Sequence, residues 1–162
     1  MRLADALGFG RRLRRRIGLA ALLHDVGKLA VPAELLRKPG PLSTDERALI
    51  RRHPEIGEAL LTPFLRDADV LAAVRGHHER FDGTGYPDGL RGRAIPFVAR
   101  VVAVADAFDA MTTPRPYHAG LSVAEALDVL RREALHQFDP ALVDRFVQLI
   151  GFPDRGHERV TA

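Results

Sequence analysis

The chain has 162 residues, a net charge of +3, 46% apolar and 28% charged side chains, and no cysteine. That suits one domain with its own core and an ordinary globular composition, and it excludes a disulfide framework or any thiolate metal site. The small basic excess comes from arginine, since Lys28 and Lys38 are the only lysines, and gives no reason to expect DNA as a partner.

Taken in chain order, the pattern is helical almost throughout. Arg11-Arg12-Leu13-Arg14-Arg15-Arg16 is the densest basic run. It reads first as a solvated helix face, and alternatively as a contact for a nucleic acid, an anionic surface or a neighbouring domain. The apolar run Ile17 to Leu23 stops at His24-Asp25, too short to cross a membrane, and no small-residue cleavage site follows it. A cytoplasmic protein without a membrane segment is expected.

Leu13, Ile17, Ala20 or Ala21, and His24 fall on one helical face, so His24 should point inward, with Gly27 and Pro32 ending that helix. Ser43 and Glu46 form a capping box that opens a helix carrying Leu49 and His53 on one face, with a kink or restart at Pro54. Val70, Val74 and His77 or His78 make the next stripe. From Arg80 to Pro96 the helical signal stops: Gly83, Gly85, Gly89 and Gly92 predict a long structured loop, a kind of segment that often carries function.

Pro96 suits the first turn of a helix through Val98, Val102 and Asp106, apolar on nearly every side and so central and buried. Ser122 and Glu125 form a second capping box before Ala126, Leu127 and Leu130. Asp139-Pro140 opens a last helix with Leu142, Val143, Phe146 and Ile150 inward. No strand is apparent, and the tail 153–162 is expected to be mobile.

His24-Asp25, His53, His77-His78 and Asp106 are the chemically informative residues. Imidazole nitrogen and carboxylate oxygen suit a divalent metal that handles phosphate esters. A lone histidine on an apolar stripe is more often a hydrogen-bonded core residue. Asp106 is harder to dismiss, because a carboxylate on an apolar helix is costly unless paired or bound to metal, and Arg100 lies on another face. Spread from position 24 to 106, these residues predict helices converging on one central site and a metal-dependent hydrolase.

His24-Asp25-Val26-Gly27-Lys28 resembles the signature of the HD superfamily of metal-dependent phosphohydrolases. The run from His77-His78-Glu79 to Gly85-Tyr86-Pro87 is similar to the extended motif of its HD-GYP subfamily. The likeness continues through Lys38-Pro39-Gly40, His53-Pro54, Asp106 with Asp109-Ala110, Arg115-Pro116-Tyr117 and Phe138-Asp139-Pro140, covering roughly residues 3 to 150. It implies an all-α HD-domain helical bundle with a Gly-rich GYP loop, occupying residues 1–152. It also implies two or three divalent metals, iron or manganese, and hydrolysis of cyclic di-GMP to pGpG or GMP.

By this resemblance His24, Asp25, His53, His77, His78 and Asp106 are the metal ligands, with Asp25 bridging. Lys28 would sit beside the scissile phosphate, and Tyr86, Arg115 and His118 would face the substrate. From the residues alone, Lys28 and Arg115 could equally lie on the surface, and Tyr86 could simply pin its loop.

Two departures stand out. The family has a further histidine upstream of the HD pair, and a glutamate where three metals bind. Here 23 residues precede His24 and none is histidine or glutamate, so a chain lacking the family's first helix is expected. At position 118 the family places arginine or lysine, and a histidine there gives a weaker, titratable charge. The alternative to an active enzyme is a weakly active or inactive scaffold that offers its GYP loop to a diguanylate cyclase.

Overall fold

The computed structural model describes residues 8–114 and 119–151. The candidates Arg115 and His118 and the tail 153–162 lie outside them. Among the described residues the fold is all-helical, and extended pairing is limited to one isolated bridge between Ala134 and Phe138.

The helices are α1 (Arg11–Leu23), a 3-10 turn (Val26–Ala30), α2 (Ala33–Leu36), α3 (Thr44–Ile50), α4 (His53–Leu61) and α5 (Ala68–Gly76). They continue with a short 3-10 turn (Gly92–Ala94), α6 (Phe97–Thr112), α7 (Val123–Arg132) and α8 (Pro140–Gly151). Both capping boxes form: Ser43 with Glu46 starts α3, and Ser122 with Glu125 starts α7. In each, a side chain satisfies backbone N–H groups that the first turn leaves unpaired.

α6 is the central element and packs on α1, α5, α7 and α8. Its Val98, Ala99, Val101, Val102 and Val104 are buried on several sides, which is why its sequence shows little polar alternation. Around it Ile17 and Ala20 of α1, Val70 and Ala73 of α5, Leu127 and Leu130 of α7, and Val143 and Phe146 of α8 complete one core. Arg100 of α6 pairs with Asp139 at the start of α8, so two charges nearly closed to solvent neutralise each other.

The helix expected to run through Leu49 and His53 is in fact two. α3 ends at Ile50, and α4 restarts at His53 with Pro54 in its first turn. Proline lacks the N–H that a continuous helix would direct at the Ile50 carbonyl, and its ring would crowd that carbonyl, so a restart costs less here than a continuous helix.

The 3-10 turn lies directly on α4. Gly27 makes that possible: a Cβ there would stand 1.9 Å from the carbonyl oxygen of His53 and 2.6 Å from the nitrogen of Gly57. The HD segment is thus pressed against the helix that begins with His53.

Candidate metal centre

Three histidines reach the centre by the same device. His24 follows the last residue of α1, His53 follows the break after α3, and His77 follows α5. A helix leaves its last carbonyls without intrahelical partners. In each case the ring Nδ1 bonds the carbonyl three residues back: His24 to Ala21 at 2.8 Å, His53 to Ile50 at 2.8 Å and His77 to Val74 at 2.7 Å. A carbonyl can only accept, so Nδ1 carries the proton. In the neutral ring Nε2 is then a bare lone pair facing inward, the form a metal ligand needs.

Those lone pairs converge on Asp25. Its Oδ1 lies 3.2 Å from His53 Nε2 and 3.9 Å from His77 Nε2, and the two ring nitrogens are 3.2 Å apart. Three acceptors therefore point at one another with no donor between them, and Asp25 Oδ1 is buried without a hydrogen bond. Such an arrangement is repulsive unless a cation sits among the three. Potential ligand atoms of Asp25, His53, His77 and His78 all lie within 4.8 Å of one another. By donor chemistry and by this unsatisfied oxygen, the residues fit a divalent metal.

The other oxygen of Asp25 faces a second group. Oδ2 lies 3.5 Å from His24 Nε2 and accepts a 2.6 Å hydrogen bond from Lys28 Nζ. His24 Nε2 is also 3.5 Å from Asp106 Oδ1. The carboxylate thus stands between a His53–His77–His78 side and a His24–Asp106 side.

Electrostatics sort the residues in the same way. Burial, reinforced by the neighbouring imidazoles, pushes His77 down to about 3 and His78 down to about 4, so both stay neutral. Asp106 raises His24, and His24 in turn lowers Asp106. Burial works to raise Asp25, but the contacts of His53 and Lys28 outweigh it and hold the carboxyl below its usual range.

Beside the cluster lies a cavity of about 310 Å³, lined by Arg51, His78, Arg80, Tyr86 and Asp106 among others. Tyr86 stacks on His78, with ring centroids 4.9 Å apart and planes 23° from parallel. Burial pushes its phenol up to about 12, so it remains a neutral O–H donor.

The loop holding Tyr86 is anchored by Glu79, which is 3% exposed and accepts the N–H groups of Asp88 at 2.7 Å and Leu90 at 3.0 Å. Outside it, Arg75 grips Asp88 through two 2.7 Å hydrogen bonds. Gly85 passes so near Arg80 that a Cβ would meet its nitrogen at 2.3 Å.

All six sequence-derived ligand candidates are therefore brought to one place, with Lys28 and Tyr86 at its edge. Sequence reasoning overlooked Arg51 and Glu79. Glu79 lies inside the quoted motif and could have been found as a carboxylate adjacent to two candidate ligands, whereas Arg51 reads as one of a pair of surface arginines.

Residues 1–142 match the HD domain family. The chain belongs to the HD domain family. Within it, the GYP segment is of the HD-GYP kind, as the sequence motif implied.

Among curated proteins, this HD domain is 46% identical over 149 residues to the cyclic di-GMP phosphodiesterase response regulator RpfG of Xanthomonas campestris, covering 90% of the chain and 39% of that protein. It is 40% identical over 131 residues to a 3′3′-cGAMP-specific phosphodiesterase of Vibrio cholerae, covering 81% of the chain and 30% of the relative. The chain thus spans well under half the length of these curated relatives. Among solved structures it resembles Bd1817, an HD-GYP-type protein of Bdellovibrio bacteriovorus, with a TM-score of 0.72 and 27% identity over 93% of this chain and 48% of that one.

Proposed function

We propose that this HD domain is a phosphodiesterase that hydrolyses cyclic di-GMP to pGpG or GMP in bacterial signalling, acting in the cytoplasm. The observation that carries the proposal is the divided role of Asp25, one oxygen facing His53 and His77 and the other facing His24 and Lys28. It supports two metals, with Asp25, His53, His77 and His78 holding one and Asp25, His24 and Asp106 the other. Iron or manganese suits this mixed imidazole and carboxylate set. When bound, such ions supply a nucleophile from water near neutral pH and offset the charge of the phosphodiester.

The chain's own residues supply the remainder. The carbonyls behind His24, His53 and His77 fix each ring in the ligating tautomer. Lys28, whose ammonium bonds Asp25 Oδ2 at the edge of the cluster, would offset the negative charge of a phosphate drawn in beside it. Tyr86 offers a neutral hydroxyl to the substrate, and Arg115 and His118 would hold its second phosphate. The relatives named for cyclic di-GMP and for 3′3′-cGAMP support the substrate class, and the guanine-only member is favoured by the higher identity to RpfG. No helix among the described residues is long and apolar enough to cross a membrane.

A scaffold that presents the loop to a diguanylate cyclase is the second reading, favoured by the exposure of Thr84, Asp88 and Gly89 on a firmly anchored loop. Product analysis on cyclic di-GMP with Mn²⁺ or Fe²⁺ supplied anaerobically separates the two. The enzyme reading predicts release of pGpG or GMP, and a Lys28→Ala variant that turns over at least about tenfold more slowly while keeping its metal, the scale of one lost charged contact to phosphate. Binding without turnover at saturating metal would leave the scaffold.

A further inference from the structure

Arg51 sits at the end of α3, and its guanidinium lies 4.3 Å from the centre of the Tyr86 ring, over it. Tyr86 in turn stacks on His78, and Arg51, Tyr86 and His78 all line the cavity beside the metal cluster. The other cationic side chains nearby are occupied. Arg80 bonds Thr84, Gln137 and Asp82, and Lys28 bonds Asp25. Among the described residues no carboxylate or carbonyl accepts from the guanidinium of Arg51. The contact it does make is to the Tyr86 ring, so its five N–H donors have no oxygen partner among the described residues.

We propose that Arg51 is the specificity-determining residue that reads a guanine of the substrate along its N7–O6 edge. The proposal rests on the cyclic-dinucleotide reading above. A phosphodiester drawn to the cluster beside His78 would leave its attached base to lie in this cavity. Arg51 and His78 lie 4.3 and 4.9 Å from the Tyr86 ring centre, close enough for one nucleotide to touch both the cluster and Arg51. The guanidinium fork matches the paired acceptors N7 and O6 of guanine. Adenine offers N7 beside an N6 amino donor, so the second prong would meet a donor and lose its bond. Arg51 would thus favour guanine over adenine by position and chemistry rather than by charge alone.

The test compares kcat/KM and Kd for cyclic di-GMP and cyclic di-AMP in the wild type and in Arg51→Ala, Arg51→Lys and Arg51→Gln. Metal content and thermal midpoint are measured in each. The proposal predicts a wild-type preference for cyclic di-GMP. Arg51→Ala should lose about tenfold or more on that substrate and little on cyclic di-AMP, the scale of a lost bidentate base contact. Arg51→Lys keeps the charge without the fork and should not restore the preference. Arg51→Gln, whose amide complements the N6 and N7 of adenine, should move it toward cyclic di-AMP.

Equal losses on both substrates, with rescue by lysine, would assign Arg51 to a phosphate and overturn the proposal. So would an unaltered preference in all variants. A wild type that neither binds nor turns over any cyclic dinucleotide would instead overturn the functional reading on which this one rests.

Discussion

At the scale of single residues, the centre is made by side chains whose neighbours leave them one role. His53 is 1% exposed and His77 3%, and each spends Nδ1 on a carbonyl, so Nε2 has nowhere to turn but inward. These histidines and Asp106 were legible in the sequence because burial and helical spacing are the same signal. The carbonyl bonds were not, because they depend on where each helix stops. Glu79 illustrates the same gap: its two backbone partners lie nine and eleven positions on, in a loop with no period. Glu79→Gln replaces one accepting oxygen with a donor facing a buried N–H. It should lower stability by about 1–3 kcal/mol, measured by denaturant unfolding, and slow turnover by loosening Tyr86. Unchanged stability would mean that the loop is held by other contacts, such as those of Arg75.

At the scale of elements, position depends on interruptions as much as on helices. The break between α3 and α4 frees the Ile50 carbonyl for His53 and places His53 at a helix start against the 3-10 turn. The sequence showed a proline after His53, which allows a kink or a restart, and only the packing of the 3-10 turn on α4 decides between them. Gly27 belongs to that contact. Gly27→Ala forces a methyl into the backbone of His53 and Gly57. The overpacking should cost about 1–3 kcal/mol or more, seen as a lower thermal midpoint, together with loss of metal because Asp25 and His53 sit on the two separated pieces. A variant with wild-type midpoint and metal content would contradict this account of the HD segment.

For the whole molecule, the all-helical class and the central place of α6 followed from an apolar run without alternation, and the structure agrees. Its surface ion pairs were not legible, since they join distant positions: Arg75 with Asp88 and Glu58, Arg16 with Asp67. Arg75 lowers Asp88 and Arg16 lowers Asp67. A carboxyl depressed in the folded state adds stability above its unfolded value of about 3.9, and that stability is lost as pH falls through the folded value. Thermal midpoints should therefore hold steady near neutrality and fall below about pH 4. Arg75→Met should lower the neutral midpoint and flatten that acid slope, and an identical slope in the variant would show that the pair contributes nothing.

The central claim is that one carboxylate serves two metal positions. Elemental analysis after anaerobic purification with Fe²⁺ or Mn²⁺ supplied, on the wild type, Asp25→Ala and His53→Ala, tests it most directly. The account predicts about two divalent ions per chain in the wild type, as in a two-metal hydrolytic site. His53→Ala should retain the ion held by His24 and Asp106, and Asp25→Ala should lose both. Full occupancy in Asp25→Ala, or equal loss in the two variants, would contradict it.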